Sequence, residues 1–378
     1  MTEKCPTAIL ALADGTVFYG AGIGATGEAL GEVVFNTAMS GYQEILTDPS
    51  YAEQIITFTT PHIGNVGINR QDMESKKIYT SGLIIAHLSP YVSNWRATST
   101  LEDFLKKHNT VGISEIDTRQ LTRILRKKGA QNGCIMHGSS MNVNRAIELA
   151  RHHPSLDGKD LAKKVTLKKN RPFHQQSYQL PSVNKNKVKH FQEKKVVAMD
   201  FGIKYQILKL LNDRHCEVIV VPATTMASDI INMNPNGVLL SNGPGDPAAC
   251  EYAIDCIKEL LKKNIPLLGI CLGCQLLALA SGAETFKMKF GHHGSNHPLQ
   301  NIKTQRVSIT TQNHGFSIKE STLPTSLTIT HRSLFDNTIQ GIRHRRKPAM
   351  GFQGHPEASP GPQDIAYLFD EFMEMMHA

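Results

Sequence analysis

Short apolar runs alternate with helical segments in the second half of the chain. The runs lie at residues 196–199, 218–221, 237–241 and 267–270. Between them, one helical segment includes residues 207–211, and another places Ile254, Ile257 and Leu261 on one face. Buried strands that alternate with helices are typical of a parallel sheet covered by helices. We therefore predict an α/β domain with a parallel, helix-covered sheet over residues 193–378.

The first half of the chain has a different pattern. Runs with β propensity at residues 7–12 and 54–58 are separated by turns rich in Gly, Asp and Pro. One helix is clearly marked, because Asp117 is a suitable N-cap and Gly129 provides the stop. Its apolar stripe consists of Leu121, Ile124 and Leu125. We predict a mixed α/β domain over residues 1–155.

The charge of the chain does not indicate a nucleic-acid-binding protein. The 378 residues have a formal net charge of +8, but eleven Lys and Arg residues fall between 159 and 195, against only Asp160 and Glu193. This stretch offers no aromatic platform of the kind that single-strand binders use. We interpret it as a solvated basic connector, spanning residues 156–192, between the two domains.

Hydropathy and cysteine usage indicate a cytoplasmic location. No apolar run reaches the roughly 18 residues that a membrane-spanning helix needs, and the first residues lack the apolar core of a secretory signal. Seven cysteines without paired spacing are typical of a reducing compartment rather than of a disulfide framework.

The strongest chemical signal is the turn that follows the run at 267–270. Cys271 is flanked by Gly269 and Gly273, the spacing of a strand–elbow–helix turn that presents a nucleophile. A side chain at either glycine would crowd such a sharp turn. At a helix N-terminus, free N–H groups and the helix dipole favour a thiolate, which is the nucleophile for covalent amide chemistry.

Two further segments supply what a cysteine nucleophile needs. His355 and Glu357 are two residues apart, so on an extended segment both side chains point the same way, as a base and the group that orients it. The Gly/Pro turn with Gly243 and Gly245 exposes backbone N–H groups of the kind that form an oxyanion hole. This turn and Cys271 both follow strands, at the edge where α/β sheets bind ligands.

The three motifs S-N-G-P-G-D-P, G-I-C-L-G and G-H-P-E, in this order and spacing, resemble those of the triad class of glutamine amidotransferases. Further segments resemble the small, glutamine-hydrolysing subunit of carbamoyl-phosphate synthase, and the likeness covers nearly the whole chain apart from residues 160–195. These segments lie at residues 35–37, 41–51, 61–67, 116–119, 128–133 and 291–294.

The resemblance implies a glutaminase mechanism. Cys271 would attack the carboxamide of L-glutamine, His355 would protonate the departing ammonia and then activate water, and Glu357 would orient His355. The backbone N–H groups of Gly243 and Leu272 would hold the oxyanion. The substrate-binding positions that the resemblance implies are Ser50, Gly243, Gly245, Leu272, Gln275, Asn313, Gly315 and Phe316.

The resemblance also implies a partner. The chain has no G-x-x-x-x-G-K-[ST] phosphate loop, so ATP and Mg²⁺ are expected in a large synthase subunit. That subunit would contact residues 1–155 and make carbamoyl phosphate, for arginine and pyrimidine synthesis, from bicarbonate, two ATP and ammonia. We expect no cofactor and no metal in this chain. His292, His293 and His297 are interpreted as a structural turn, because no further ligands lie at metal-binding spacing.

One position departs from the family, which usually has histidine where this chain has Cys274. Cys271 and Cys274 form a C-x-x-C motif, and beside a βαβ pattern this also suggests a redox pair. We favour a space-filling role for Cys274, although a disulfide between the two would switch the enzyme off. Two alternatives stay open: a glutaminase that serves another ammonia acceptor, and a redox or binding protein on a glutaminase scaffold.

Overall fold

The structure is a computed structural model that describes residues 7–179 and 192–377. The chain divides into two compact units. The first comprises Met1–Leu156 and Lys289–Gly294, and the second comprises Asp157–Met288 and Ser295–Ala378. Within the described ranges, no helix combines the length and the apolarity that crossing a membrane requires.

The first unit is built on a closed β-barrel. The strands of the unit are β1 (Ala8–Leu12), β2 (Val17–Gly24), β3 (Gly27–Asn36), β4 (Gln54–Phe58), β5 (His62–Ile63), β6 (Gly82–Ile84), β7 (His87–Leu88), β8 (Val111–Ser114) and β9 (Gln131–His137). Strands β5 and β7 form a separate two-stranded ribbon. Its helices are α1 (Tyr42–Thr47), α2 (Leu101–Lys107), α3 (Thr118–Lys128) and α4 (Val143–His152). The order around the barrel is β1-β2-β8-β6-β4-β3-β9. The mixed α/β character is as predicted, whereas barrel closure was not.

Helix α3 has the boundaries that its sequence predicts. The Asp117 carboxylate accepts the N–H of Gln120 at 2.8 Å, which caps the first turn. Gly129 ends the helix with a φ of 101°, a conformation that side chains rarely adopt. Local sequence signals therefore suffice to predict where this helix begins and ends.

The second unit contains a mixed sheet. Its strands are β10 (Arg171–Phe173), β11 (Lys194–Asp200), β12 (Cys216–Pro222), β13 (Gly237–Leu240), β14 (Leu267–Ile270), β15 (Thr285–Asn301, shared with the first unit), β16 (Val307–Ile318), β17 (Leu327–Ser333), β18 (Ile339–His344) and β19 (Ala349–Phe352). Its helices are α5 (Ala162–Val165), α6 (Tyr205–Asn212), α7 (Ala227–Asn232), α8 (Glu251–Lys262), α9 (Leu272–Ala280) and α10 (Tyr367–Met375). The strand order is β10-β12-β11-β13-β14-β19-β18-β17-β15-β16.

The central part of this sheet is parallel. Strands β12, β11, β13, β14 and β19 are parallel neighbours, with Leu240 opposite Gly269 and Gly269 opposite Gly351. The predicted parallel sheet is therefore confirmed, and β17 and β18 extend it in antiparallel fashion. Since β13, β14 and β19 end side by side, the segments that follow them meet at one edge.

Helices cover both faces of the parallel strands. Along β11, Val197 and Met199 pack in a cluster with α8 and α9, while Val196 and Ala198 pack in a cluster with α6 and α10. A strand buried on both faces explains the continuous apolar runs of the sequence.

The buried face of α8 differs from the predicted one. Ala253, Cys256, Ile257 and Leu260 are buried. Of the predicted stripe, Ile254 and Leu261 are only partly buried at its sides. The small side chains at 253 and 256 lie at the centre of the packed face, where a rule based on large apolar residues does not find them.

The predicted basic connector at 156–192 contains ordered elements. Helix α5 and strand β10 fall within it, and β10 pairs antiparallel with β12 from Arg171 to Phe173. Residues 180–191 lie outside the described residues. The proposed domain limits at 155 and 193 stay a prediction.

Replacement of Phe372 tests the packing of α10. Phe372 is completely buried among residues of α6 and the sheet, so Phe372→Ala should lower the free energy of unfolding of the second unit by about 3–5 kcal/mol. Because the single tryptophan, Trp95, lies in the first unit, hydrogen exchange of β11–β14 peptides against denaturant is the appropriate measurement. Phe286→Ala, at a position that is 42% exposed, is the control and should cost less than about 1 kcal/mol. Equal effects would contradict the packing described here.

Candidate active site

Cys271 lies at a strained turn between β14 and α9. Its φ of 53° and ψ of −105° fall outside the regions that non-glycine residues usually occupy. A Cβ at Gly269 would lie 2.5 Å from the Gly273 carbonyl oxygen, and one at Gly273 would lie 2.1 Å from that of Leu240. Both flanking glycines are therefore required, because backbone atoms leave no space for a side chain.

The Cys271 sulfur is buried in a polar environment. The residue is 2% exposed, and its thiol donates to the Asn313 carbonyl oxygen at 3.4 Å. The Gln353 side-chain amide donates to the sulfur at 3.9 Å. The thiol is thus surrounded by hydrogen-bonding groups rather than by apolar side chains alone.

His355 and Glu357 form a closely coupled pair beside this thiol. His355 Nδ1 lies 2.6 Å from Glu357 Oε1, and the His355 backbone N–H donates to the Thr311 carbonyl oxygen at 2.9 Å. Nε2 of His355 is buried without a hydrogen-bond partner among the described residues. An interaction with Cys271 nevertheless contributes to the pKa of His355, so the free ring nitrogen belongs to the surroundings of the sulfur.

A buried lysine lies next to the His355–Glu357 pair. Lys204 is 2% exposed, and its Nζ lies 2.9 Å from Glu357 Oε1 and 2.6 Å from the Ala358 carbonyl oxygen. The residue follows β11, and its backbone N–H donates to Asn242 Oδ1 at 3.1 Å. Sequence reasoning missed Lys204. Its one signal is a lysine placed between the carboxyl end of a buried strand and the next helix.

The pKa values of the pair are shifted in opposite directions. Burial lowers the pKa of His355, but the charge of Glu357, the interaction with Cys271 and the hydrogen bond to Glu357 outweigh it and raise that pKa. Burial raises the pKa of Glu357, yet the charges of Lys204 and His355 hold it well below its usual range. The site therefore favours an imidazolium beside a carboxylate.

The loop after β13 lies against the start of α9. A Cβ at Gly243 would lie 2.9 Å from Leu272 Cδ2 and 2.2 Å from the Phe201 carbonyl oxygen. Among the hydrogen bonds of the described residues, none takes up the backbone N–H of Gly243 or Leu272. Two free donors thus lie near the turn that carries Cys271.

Other predicted substrate positions lie on two elements of the second unit. Asn313, Gly315 and Phe316 belong to strand β16. Gln275, on α9, donates its side-chain amide to the Phe316 carbonyl oxygen at 2.7 Å. No atom would lie within 4 Å of a Cβ at Gly315, which leaves open space beside that backbone.

Gly245 and Ser50 lie in different surroundings. Gly245 has a φ of 92°, and a Cβ there would lie 2.6 Å from the Lys159 carbonyl oxygen. Backbone conformation and close packing therefore explain why this position is a glycine. Ser50 belongs to the first unit, in the 3-10 helix Pro49–Tyr51. The contribution of both residues to substrate binding stays a prediction.

Cys274 is placed as a packing residue. It is completely buried in the cluster on the α8 side of the sheet, whereas Cys271 belongs to the cluster on the other side. Burial raises the pKa of the Cys274 thiol, and its sulfur would lie 2.8 Å from a Cβ at Gly351. A buried thiol with a raised pKa is a poor partner for disulfide formation, so the geometry favours the space-filling role.

Metal binding finds no support in the described residues. Within ranges 7–179 and 192–377, no group of three His, Cys, Asp or Glu side chains is arranged to hold an ion. His292, His293 and His297 lie on strand β15, and the interpretation of these histidines as a turn was therefore wrong.

Comparison with known proteins identifies the family. The model of the carbamoyl-phosphate synthase small chain, CPSase domain, matches residues 10–135, and the class-I glutamine amidotransferase model matches residues 197–375. The carbamoyl phosphate synthase small chain of Photorhabdus laumondii is 57% identical over 98% of this chain and 96% of its own length. That of Escherichia coli K12 is 56% identical over 98% of this chain and 97% of its own length.

The chain belongs to the carbamoyl phosphate synthase small chain family. The resemblance that the motifs indicate is thereby confirmed, and it spans both units. A small chain also implies a large-subunit partner. The triad-class assignment of the second unit agrees with the match of the amidotransferase model to this part of the chain.

Removal of the buried lysine should destabilise this small chain. Lys204→Met leaves the Glu357 carboxylate buried with a weaker counter-charge, and we expect a loss of about 3–5 kcal/mol in the free energy of unfolding. The double variant Lys204→Met/Glu357→Gln removes both charges and should recover part of that loss. Urea denaturation of the single and double variants forms a mutant cycle, and strictly additive effects would rule out the pair.

The raised pKa of His355 makes its contribution to stability depend on pH. The contribution is fully present below the unfolded-state pKa of 6.5 and is lost as the pH rises through the raised folded-state value. The stability difference between the wild type and His355→Asn should therefore shrink between about pH 6 and pH 10 in urea titrations.

His331 provides the control with the opposite sign. Burial lowers its pKa to about 4, so its contribution is present above pH 6.5 and is lost as the pH falls toward 4. If His331→Asn and His355→Asn follow the same trend, the charged pair does not act as described.

Proposed function

We propose that this chain is the glutaminase subunit of a carbamoyl phosphate synthase and that it hydrolyses L-glutamine through a thioester on Cys271. Family membership supports the activity. The observation that supports the residue roles is a row of buried, interacting side chains beside the Cys271 thiol: Lys204 contacts Glu357, and Glu357 contacts His355. A nucleophile, a proton carrier and a group that orients the carrier are thereby available together.

The first half of the reaction forms the thioester. The Cys271 thiolate attacks the carboxamide carbon of glutamine, a C–S bond forms, and the carbonyl oxygen becomes an oxyanion. The free N–H groups of Gly243 and Leu272 would stabilise this oxyanion. When the C–N bond breaks, the His355 imidazolium gives its Nε2 proton to the departing nitrogen, so ammonia leaves and the imidazole is neutral.

The second half of the reaction regenerates the thiolate. Neutral His355 accepts a proton from water, the hydroxide attacks the γ-glutamyl thioester, and the C–S bond breaks to release glutamate. Throughout the reaction Glu357 accepts a hydrogen bond from the Nδ1–H group of His355, which fixes the ring orientation and stabilises the imidazolium. Lys204 holds that carboxylate in its ionised form.

Substrate recognition is proposed for the edge of strand β16 and the start of α9. The open space beside Gly315 leaves backbone groups accessible to the α-amino and α-carboxylate groups of a free amino acid. Asn313 and Phe316 flank this position, and Leu272 and Gln275 line the helix side. Roles for Ser50, Gly243 and Gly245 are proposed from the family resemblance.

The ammonia is proposed to pass to the large subunit, which would bind ATP and Mg²⁺ and make carbamoyl phosphate from bicarbonate. Ammonia in free solution at neutral pH is mostly protonated and loses its nucleophilicity, which makes direct transfer advantageous. No cofactor is proposed for this chain. A cytoplasmic location, which the cysteine usage indicates, also stays a proposal.

Cys271→Ser is the decisive variant for this function. Reconstituted with the large subunit, it should lose glutamine-dependent carbamoyl phosphate synthesis by a factor of at least about 10³, because the nucleophile is missing, while synthesis from added ammonia continues. Glutamate release by the small chain, alone and in the complex, should fall equally.

Cys256→Ser is the matched control, since Cys256 is a buried free thiol on α8. It should retain both activities. Loss of the ammonia-dependent activity in Cys271→Ser would place Cys271 in structure rather than in catalysis. Undiminished glutamate release would refute the proposal outright.

A further inference from the structure

The side-chain amide of Gln353 has an unusual set of partners. Gln353 is completely buried. Its Oε1 accepts from Gln275 Nε2 at 3.1 Å, and its Nε2 donates to Cys271 Sγ at 3.9 Å. A carboxamide NH₂ group has two hydrogens to donate. Among the described residues, the Cys271 sulfur is the only acceptor that this NH₂ group meets.

The orientation of the Gln353 amide is fixed by its neighbour. The NH₂ group of Gln275 donates both to the Phe316 carbonyl oxygen, at 2.7 Å, and to Gln353 Oε1. With a donor on that side, the oxygen of Gln353 must face Gln275, and its nitrogen must face the sulfur. The hydrogen-bond network therefore determines which end of the amide meets Cys271.

The acceptor strength of the sulfur depends on its ionisation. A neutral thiol is a weak acceptor, so a buried NH₂ group that meets only a thiol is poorly satisfied, which costs free energy. A thiolate accepts strongly, as charged partners do in general. Ionisation of Cys271 thus satisfies a donor that the neutral site leaves almost unpaired.

We propose that Gln353 is a positioning residue that stabilises the thiolate form of Cys271 through its side-chain amide, which the hydrogen bond from Gln275 holds in place. This proposal rests on the proposed function, in which that thiolate is the nucleophile. Gln353 does not touch the reacting carbon in the proposed mechanism. It acts on the fraction of the sulfur that is ionised, and no sequence motif assigned it a role.

The hydrogen bonds through Gln275 and Gln353 also connect Cys271 to strand β16, beside which glutamine is proposed to bind. Phe316 and Asn313 both lie on β16; the Phe316 carbonyl oxygen holds Gln275, and the Asn313 carbonyl oxygen accepts from the Cys271 thiol. A displacement of β16 would thus change the acceptor of the thiol and the position of the amide together. Ionisation of Cys271 is in this way sensitive to the strand beside which glutamine is proposed to bind.

The test is the pH dependence of Cys271 alkylation by iodoacetamide in the full-length protein, with the modified peptide quantified by mass spectrometry. Gln353→Met preserves the length of the side chain but removes the donor. We expect the midpoint of the pH–rate profile to rise by about one pH unit, because a hydrogen bond to a charged group changes the thiolate-to-thiol ratio by about tenfold. The limiting rate at high pH should equal that of the wild type.

Two variants make the comparison specific. Gln353→Glu keeps the shape and places a negative charge beside the sulfur, so its midpoint should rise further. Gln340→Met is the matched control: Gln340 is 1% exposed on β18, and its side chain donates to Thr338 rather than to sulfur. Its backbone carbonyl, which accepts the Gln353 N–H, is retained, so its midpoint should stay that of the wild type.

Glutaminase kinetics separate positioning from a merely structural role. In Gln353→Met, kcat/KM near neutral pH should fall about tenfold and recover at high pH as the thiol ionises. A structural defect would lower kcat/KM at every pH. Should both Gln353 variants fail to fold, side-chain NH₂ resonances of Gln353 in the wild type should titrate with the alkylation midpoint, and pH-independent resonances would overturn the proposal.

An unchanged alkylation midpoint in Gln353→Met also overturns it. Failure of the proposed function gives a different result, since Cys271→Ser would then still hydrolyse glutamine. The alkylation profile reports the thiolate directly and does not depend on turnover. The two proposals can therefore fail separately.

Discussion

The close approach of helix α9 to the carboxyl ends of β13 and β14 is the constraint on which the site depends. Gly273 lies so near the Leu240 carbonyl oxygen that no side chain fits between helix and strand. The Gly273 N–H donates to Ser241 and the Cys271 N–H donates to Phe352, at 2.9 and 2.8 Å. These bonds fix the turn between neighbouring strands, and they hold Cys271 in a backbone conformation that an isolated residue would avoid.

Charge balance in the interior imposes a second constraint. Lys204, Glu357 and a protonated His355 together carry one net positive charge, and Glu357 and His355 are both at most 1% exposed. An uncompensated charge in a dry interior is costly, and in the proposed mechanism a thiolate at Cys271 supplies the missing negative charge. In that mechanism the imidazolium and the thiolate stabilise each other, and this is the protonation state that thioester formation requires.

Local sequence signals predicted those parts of the molecule that depend on neighbouring residues. The apolar runs located β11 to β14, the cap at Asp117 located α3, and glycine spacing located the turn at Cys271. Barrel closure and the antiparallel strands β17 and β18 could not be found this way, because they depend on pairing between distant segments. Lys204 and Gln353 escaped for the same reason: each acquires its role through a partner about 80 to 150 residues away.

The hydrogen bonds of the site support the roles proposed for these distant residues. Most buried donors in proteins have an acceptor. The buried NH₂ group of Gln353 has only sulfur, and no hydrogen bond among the described residues takes up the N–H groups of Gly243 and Leu272. In the proposed mechanism, negative charge on the sulfur or on the substrate oxygen satisfies these donors. Donors fixed in advance need no reorganisation when that charge develops. The fold thus places these donors where the proposed reaction develops negative charge.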